Sequence, residues 1–155
     1  MSLEQKVIQT LRDTKKTLAV AESCTGGLLC HRLTNIPGSS EVLKFGVVAY
    51  SNEAKSNFLK VSSAVLRRFG AVSQETATAM AKGARSRLKS DIAISITGIA
   101  GPGGGSKTKP VGTTYMGISR KMGTTSFQFH FKGNRARVKQ QSVDQALRLL
   151  LQFAA

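Results

Sequence analysis

Residues 17–33 read TLAVAESCTGGLLCHRL, and this stretch predicts a strand, a tight turn and a helix in immediate succession. The apolar run from Thr17 to Ala21 is typical of a short buried strand. The segment from Glu22 to Gly27 combines helix-capping side chains with two glycines, which favours a tight turn leading into a helix. The apolar-rich residues 28–33 continue as that helix. A strand that runs directly into a helix is typical of α/β folds.

The sequence on either side continues this alternation. Amphipathic or capped segments predict five further helices, near 3–15, after Ser51, between Ser62 and Gly70, from Ser73 and from about Arg135. Apolar runs predict four further strands, at 45–50, 91–97, 111–119 and 124–132. The last two strands are expected to form a hairpin. The order α-β-α-β-α-α-β-β-β-α predicts one three-layer α/β/α domain over residues 1–155, with a mixed sheet of about five strands.

The charge of the chain is its most unusual compositional feature. There are 23 Lys and Arg residues against 8 Asp and Glu, which gives a formal net charge of +15. Most of the excess falls in residues 76–155. Such an excess indicates a phosphate-bearing partner, whether nucleic acid, membrane or small anion. No Trp is present and no aromatic residues are interleaved with the basic ones, so only weak, nonspecific nucleic-acid binding is expected.

Membrane and secretion signals are missing from the sequence. It contains no run of the roughly 20 apolar residues that cross a membrane, and its first twenty residues lack a cleavable apolar signal. Cys24 and Cys30 are six positions apart, which would place them on different faces of a helix as reduced thiols. These features predict a cytoplasmic protein with no membrane partner.

Ser23 is the first candidate catalytic residue. It lies between a predicted strand end and a predicted helix start, where free backbone N–H groups and the helix dipole can stabilise an oxyanion or a phosphate. That position suits a nucleophile. It equally suits a helix N-cap, a role that Ser23 or Thr25 could fill. Cys24 is an alternative nucleophile, although a small packed thiol is the plainer interpretation.

Tyr50 and Lys55 occupy a second junction between a strand end and a helix start. A serine hydroxyl needs a base, and no histidine lies near either segment, so a desolvated lysine or a tyrosine is the remaining choice. The alternatives are a solvated lysine on the helix surface and a tyrosine at the edge of the core.

The segment from Gly98 to Ser106 is a glycine-rich loop. Five glycines among nine residues allow backbone amides to approach a ligand closely, and they also fit a tightly turned loop without a ligand. The part GPGGGSKT at 101–108 differs from a phosphate-binding loop at Ser106. A predicted strand follows it where that motif requires a helix, so a P-loop is excluded.

Metal-binding patterns are also missing. His31 and His130 lie far apart, and the sequence contains neither HExxH nor CxxC. We therefore predict no metal site, with Glu22 as the only carboxylate next to a candidate site.

Four motifs in the same order resemble one known family. AESCTGG at 21–27, YSNEAK at 50–55, GAVS at 70–73 and TGIAGPGGG with KPVGT at 97–113 closely resemble the C-terminal domain of the CinA competence/damage-inducible family, the nicotinamide-nucleotide amidohydrolases. The similarity covers nearly the whole chain, which has the length of a stand-alone form of that domain. It implies hydrolysis of nicotinamide mononucleotide to nicotinate mononucleotide and ammonia in pyridine nucleotide recycling, without a metal or another cofactor, by a homodimer.

The resemblance also implies roles for individual residues. Ser23 corresponds to the catalytic serine, Tyr50 and Lys55 to the proton-handling pair, and Thr97 to a hydroxyl residue at a strand end. The expected substrate-binding residues are Cys24, Thr25, Gly26, Gly27, Asn52, Gly98, Gly101, Gly105, Lys109 and Arg135. Lys109 and Arg135 would bind the phosphate of the nucleotide substrate, and in a dimer Arg135 would reach the site of the second subunit. We expect the backbone amides of residues 24–26 to stabilise the oxyanion.

This chain departs from the family pattern at two positions. Asn134 replaces an aspartate that commonly precedes Arg135, and Lys139 stands where an arginine is frequent. The aspartate could orient Arg135 through an ion pair, and an arginine could grip a phosphate with two hydrogen bonds. The change at Asn134 makes a CinA-like protein with a changed substrate one alternative function, and the net charge of +15 makes a basic nucleic-acid-binding module the other.

Overall fold

The computed structural model describes residues 1–155 and contains a five-stranded sheet between two layers of helices. The strands are β1 (Leu18–Glu22), β2 (Leu43–Val48), β3 (Ile92–Gly98), β4 (Thr113–Arg120) and β5 (Gly123–His130). The helices are α1 (Leu3–Asp13), α2 (Leu28–Thr34), α3 (Asn52–Leu59), α4 (Ser63–Phe69), α5 (Gln74–Arg87) and α6 (Arg135–Ala154), with a 3₁₀ turn at Ser39–Glu41. The predicted three-layer α/β/α fold with a mixed sheet is confirmed.

The strand order is β2-β1-β3-β4-β5. β1 is parallel to both β2 and β3, whereas β4 and β5 form an antiparallel hairpin attached to β3. The carboxyl ends of the three parallel strands therefore meet at one edge of the sheet. Ligand sites of open α/β sheets lie outside that edge.

The two faces of the sheet are packed differently. In β1 and β3 the larger side chains, such as Val20 and Ile94, face a core formed with α1, α2 and α6. The alternate positions, such as Ala19 and Ala93, face a smaller core formed with α3, α4 and α5. Since side chains alternate along a strand, one strand builds both cores. The small residues allow α5 to lie close to the sheet.

β2 ends two residues earlier than the sequence predicts. The expected strand extends to Tyr50, but the observed strand ends at Val48. The carbonyl oxygens of Ala49 and Tyr50 instead accept hydrogen bonds from the Lys55 ammonium group, at 2.9 and 3.2 Å. The strand end is thus shaped by a side chain that reaches back from the following helix.

The helices are short or amphipathic. None of the six combines the length with the apolar character that crossing a bilayer requires.

Candidate active site at the carboxyl ends of the parallel strands

A cavity of about 280 Å³ opens at the edge where β1 and β3 end. It is lined by Ser23 and Cys24 after β1, Tyr50 and Lys55 after β2, Ala71 and Val72 before α5, the segment Thr97–Gly101 with Gly103 and Gly104, and Arg135 of α6. The sheet topology thus brings together side chains from all four motifs that the sequence analysis singled out.

Ser23 and Lys55 are in direct contact inside this cavity. The Lys55 Nζ atom lies 2.9 Å from Ser23 Oγ, and both side chains are buried, with Lys55 only 1% exposed. The other two hydrogen-bond partners of Nζ are the carbonyl oxygens of Ala49 and Tyr50. Carbonyl oxygens only accept hydrogen bonds, so they fix two N–H directions and leave the third position of the amine directed at Ser23.

The protonation of Lys55 is shifted by its surroundings. Burial disfavours the charged form and lowers the pKa of Lys55 from its ordinary value of 10.5. No carboxylate forms an ion pair with it. A neutral Lys55 would hold two N–H groups on the carbonyls and present its lone pair to the Ser23 hydroxyl proton. That arrangement is suited to a general base acting on a serine.

Ser23 does not cap helix α2. The N-cap position is Gly27, and the Ser23 hydroxyl accepts no hydrogen bond from an amide of the first helical turn. The Ser23 backbone N–H donates to the carbonyl oxygen of Ile96 in β3 at 2.9 Å, which fixes the residue at the sheet edge. The sequence left Ser23 open as either a helix N-cap or a nucleophile, and this geometry favours the nucleophile.

Glu22 holds the turn that carries Ser23. Its carboxylate is fully buried and accepts four hydrogen bonds, from the Thr25 hydroxyl at 2.6 Å and from the amides of Gly27, Leu29 and Cys30 at 3.0 to 3.2 Å. The helix N-terminus that we expected to be open to an anion is therefore occupied by this carboxylate. A carboxylate just before a turn into a helix is a recognisable capping signal, and this signal could have identified the role of Glu22 from the sequence.

Two amides of the turn remain without a protein acceptor. These are the N–H groups of Cys24 and Thr25, whereas the Gly26 N–H donates to the Ser23 carbonyl oxygen at 3.1 Å. Of the oxyanion donors expected at residues 24–26, only the amides of Cys24 and Thr25 are therefore available. Both directly follow Ser23 in the chain, and backbone N–H groups next to a nucleophile are common oxyanion donors in acyl-transfer sites.

Cys24 lies in the lining but is not an activated thiol. Burial raises the pKa of Cys24 to about 11, with the nearby Glu22 carboxylate adding to the effect. A thiol with that pKa is protonated at neutral pH and is a poor nucleophile. The geometry therefore favours packing over catalysis for Cys24.

Arg135 spans the cavity mouth. Its guanidinium donates to the Gly101 carbonyl oxygen at 2.7 Å and to the Tyr50 hydroxyl at 3.1 Å. These contacts lie within one chain, so Arg135 lines its own cavity. Asn134 is the N-cap of α6 and accepts from the Arg137 amide at 3.0 Å. The guanidinium is thus oriented without the ion pair that an aspartate at 134 would offer.

Thr97 and Lys109 both hold the wall of the cavity. The Thr97 hydroxyl donates to the Ala71 carbonyl oxygen at 2.7 Å. The Lys109 Nζ atom donates to the carbonyl oxygens of Phe69 and Val72, at 3.0 and 2.5 Å. Lys109 does not line the cavity, and the phosphate role expected for it has no support in this geometry. Its ammonium fixes the segment that precedes α5.

Several other predicted binding residues also lie outside the lining. Asn52 is exposed in the first turn of α3, and Gly105 packs its backbone against Val111. Thr25, Gly26 and Gly27 shape the turn, the two glycines with left-handed backbone angles that other residues rarely adopt. Of the predicted binding residues, the cavity contains Cys24, Gly98, Gly101 and Arg135.

The structure brings no three His, Cys, Asp or Glu side chains together in a group that could hold a metal ion.

Comparisons with known proteins give a consistent result. The family model described as the CinA C-terminal domain matches residues 1–154. A protein of Caldicellulosiruptor bescii named as competence-damage inducible is 55% identical over 148 residues, which cover 96% of this chain and 36% of that protein. A CinA-like protein of Acaryochloris marina is 50% identical over 148 residues, covering 94% and 35%. The chain thus spans about a third of the length of the curated relatives it matches.

Solved structures agree in fold over nearly the full length. A competence/damage-inducible protein from Agrobacterium tumefaciens superposes with a TM-score of 0.94 at 39% identity, covering 97% of this chain and 92% of that one. A CinA superfamily protein from Escherichia coli gives 0.92 at 35% identity, covering 97% and 90%. The four motifs, the sheet topology and these matches lead to one assignment: the chain belongs to the CinA C-terminal domain family.

Proposed function

We propose that the protein is an amidohydrolase that converts nicotinamide mononucleotide to nicotinate mononucleotide and ammonia, with Ser23 as the nucleophile. The observation that carries the proposal is the buried 2.9 Å contact between Ser23 Oγ and Lys55 Nζ in a cavity with free backbone amides. A buried lysine paired with a serine hydroxyl is chemically suited to acyl transfer.

In the first step, Ser23 Oγ attacks the carboxamide carbon while its proton moves to Lys55 Nζ. The Lys55 amine can take this proton because its other two N–H groups already bind carbonyl oxygens. The carbonyl oxygen becomes an oxyanion, which the Cys24 and Thr25 amides stabilise. Removing one such donor typically costs about 100- to 1,000-fold in rate.

In the second step, the carbon–nitrogen bond breaks and the proton held by Lys55 passes to the departing nitrogen, which leaves as ammonia. A water molecule then attacks the acyl-enzyme, with Lys55 again accepting a proton. Collapse of the second tetrahedral intermediate returns the proton to Ser23 Oγ and releases the carboxylate product. The cycle consumes one water and needs no redox partner.

Arg135 is the group best placed to bind the substrate's phosphate. It lines the catalytic cavity and also an adjoining depression of about 380 Å³, where Lys139 is the second cation. Four amides of the glycine loop, those of Ala100, Gly101, Gly103 and Gly104, have no protein acceptor and add further donors. Together these groups form an anion site beside the Ser23–Lys55 pair.

Ammonia release from nicotinamide mononucleotide tests the reaction directly. We expect the wild-type protein to release ammonia and the Ser23→Ala variant to lose at least about 1,000-fold in kcat. Ser90→Ala is a matched control, because Ser90 is also a buried serine and its hydroxyl has no hydrogen-bond partner. Undiminished activity of Ser23→Ala, or equal losses in both variants, would refute the nucleophile assignment.

The phosphate site can be tested by comparing two substrates. Arg135→Gln should raise the KM for nicotinamide mononucleotide by roughly 10- to 100-fold, since one charge-assisted contact is lost. The same variant should leave the KM for nicotinamide riboside, which lacks the phosphate, nearly unchanged. Equal changes for both substrates would contradict phosphate binding by Arg135.

A further inference from the structure

The structure contains a second cavity, larger than the catalytic one, at the opposite end of the sheet. Its volume is about 530 Å³, and it lies where β3 begins, β4 ends and the last turn of α6 packs. We call it the basal cavity, lined by Lys16, Asp91, Ile92, Arg120, Lys121, Met122 and Phe153. Leu18, the first residue of β1, pairs with Ile92, whereas Ser23 follows the last residue of β1. The two cavities are thus separated by roughly 15 Å of strand.

The lining of the basal cavity combines apolar surface with positive charge. Ile92, Phe153 and Met122 provide the apolar part, and Met122 is 81% exposed. Three of the seven lining residues are cations, against one carboxylate. Ligand sites of small molecules typically measure about 300 to 1,000 Å³ and combine apolar walls with a few polar groups. The basal cavity meets both conditions.

Two of the cations have no polar partner. Neither Arg120 nor Lys121 makes an ion pair, since the three ion pairs of the chain involve other residues. The Arg120 guanidinium lies over the Phe153 ring, 4.9 Å from its centre, which keeps its N–H groups free. Lys16, by contrast, donates to the Ala154 carbonyl oxygen at 3.0 Å and stabilises the end of α6.

The single carboxylate balances the charge of only one of the three cations. Asp91 accepts hydrogen bonds from the amide and the hydroxyl of Thr17, at 2.8 and 3.0 Å. Its role is to join the start of β1 to the start of β3. The basal cavity therefore keeps an unbalanced positive charge beside an aromatic ring and a thioether.

We propose that the basal cavity binds a planar aromatic anion, an aryl carboxylate, sulfonate or phosphate. A flat ring suits Phe153 and Met122, because sulfur and aromatic groups both pack favourably against aromatic rings. The acid group suits Arg120 and Lys121, whose donors are unused, and a guanidinium stacked on a ring is preoriented for an anion. The proposal is independent of amide hydrolysis and assigns a use to part of the +15 charge that a mononucleotide substrate does not need.

The fluorescent aryl sulfonate 8-anilinonaphthalene-1-sulfonate is a suitable probe. We expect one probe to bind per folded chain, saturably, and to stay bound in excess nicotinamide mononucleotide. Arg120→Ser should weaken binding about tenfold, which corresponds to about 1.4 kcal/mol. Arg68→Ser is the matched control, because Arg68 also lies over a ring, that of Phe69 at 5.1 Å, and is not part of the basal cavity. Equal effects of the two variants, or displacement by the nucleotide, would overturn the proposal.

A second variant and a competition separate an aromatic site from a simple anion site. Met122→Ser changes no charge and alters an exposed side chain, so the fold should persist while probe binding weakens at least threefold. Benzenesulfonate should displace the probe at concentrations at which inorganic sulfate does not. Displacement by sulfate at equal concentration, or unchanged binding by Met122→Ser, would show that only general charge attraction is present and would refute the aromatic site.

Discussion

Replacing Glu22 by glutamine tests the interpretation that this carboxylate holds the turn that carries Ser23. The substitution keeps the size of the side chain and changes its hydrogen-bonding capacity. Oε1 accepts from the Thr25 hydroxyl and from the amides of Gly27 and Leu29, so a glutamine carbonyl oxygen can take its place. Oε2 accepts from the Cys30 amide at 3.0 Å, where a glutamine would present an NH₂ group to another donor.

The cost of Glu22→Gln follows from these four contacts. Three charge-assisted hydrogen bonds become neutral, a loss of about 1 kcal/mol each, and the half-buried Cys30 amide loses its acceptor at about 1 to 3 kcal/mol. Removing a buried charge returns part of its desolvation cost. We therefore expect a net loss of about 2 to 4 kcal/mol in the free energy of unfolding, or roughly 4 to 16 °C in Tm.

Urea unfolding followed by circular dichroism measures this difference. Glu41→Gln is the matched control, because Glu41 is an exposed carboxylate paired with Arg12 at 3.1 Å, and surface pairs contribute little. The free energy of unfolding of Glu41→Gln should stay within about 0.5 kcal/mol of that of the wild type. If Glu22→Gln were no more destabilising than Glu41→Gln, the four contacts would not hold the turn and the reasoning would fail.

Three further predictions concern Lys55, the thiols and helix packing. Because burial lowers the pKa of Lys55, kcat/KM should rise with pH around a midpoint below 10.5, and Lys55→Arg should abolish this rise. The free energy of unfolding should also rise with pH up to 10.5, because in this range Lys55 is protonated in the unfolded chain and neutral in the folded one. Burial raises the pKa of Cys24 to about 11 and the pKa of Cys30 to about 12. A thiol reagent at pH 7 should therefore label the native chain at least about 100-fold more slowly than the urea-unfolded chain. Equal labelling rates would contradict the burial of the two thiols. Gly83→Ala should lower the free energy of unfolding in urea by about 1 to 3 kcal/mol, because the added Cβ would lie 1.9 Å from the Leu59 carbonyl oxygen. Alanine usually stabilises a helix relative to glycine, so a gain of stability would show that α3 and α5 pack less closely.

The fold could be predicted because each element carries its own local signal. The strand, turn and helix of residues 17–33 follow from hydrophobic pattern and turn chemistry, which act over a few residues. The strand order β2-β1-β3-β4-β5 did not follow, because it depends on which crossovers pack best. The early end of β2 also depends on tertiary structure, since the carbonyl oxygens of Ala49 and Tyr50 bind the Lys55 ammonium group.

The candidate site was predicted in part. Ser23, Tyr50, Lys55, Thr97 and Arg135 lie together because they follow or face neighbouring strand ends, a relation that sequence order indicates. The place of Lys109 could not be predicted, because its ammonium is held by backbone carbonyls that are distant in sequence. Burial of a side chain and the carbonyls within its reach are properties of the folded chain. The catalytic roles, the homodimer, nucleic-acid binding and the cytoplasmic location stay predictions.

The candidate active-site cavity takes side chains from both helical layers and from the sheet between them. Ser23 follows a central strand, Lys55 belongs to α3 in one layer, and Arg135 belongs to α6 in the other. A partly folded chain with only one layer docked would lack either the Lys55 amine or the Arg135 guanidinium. Catalytic competence would then require the whole tertiary structure, which makes turnover a stricter measure of correct folding than helix content.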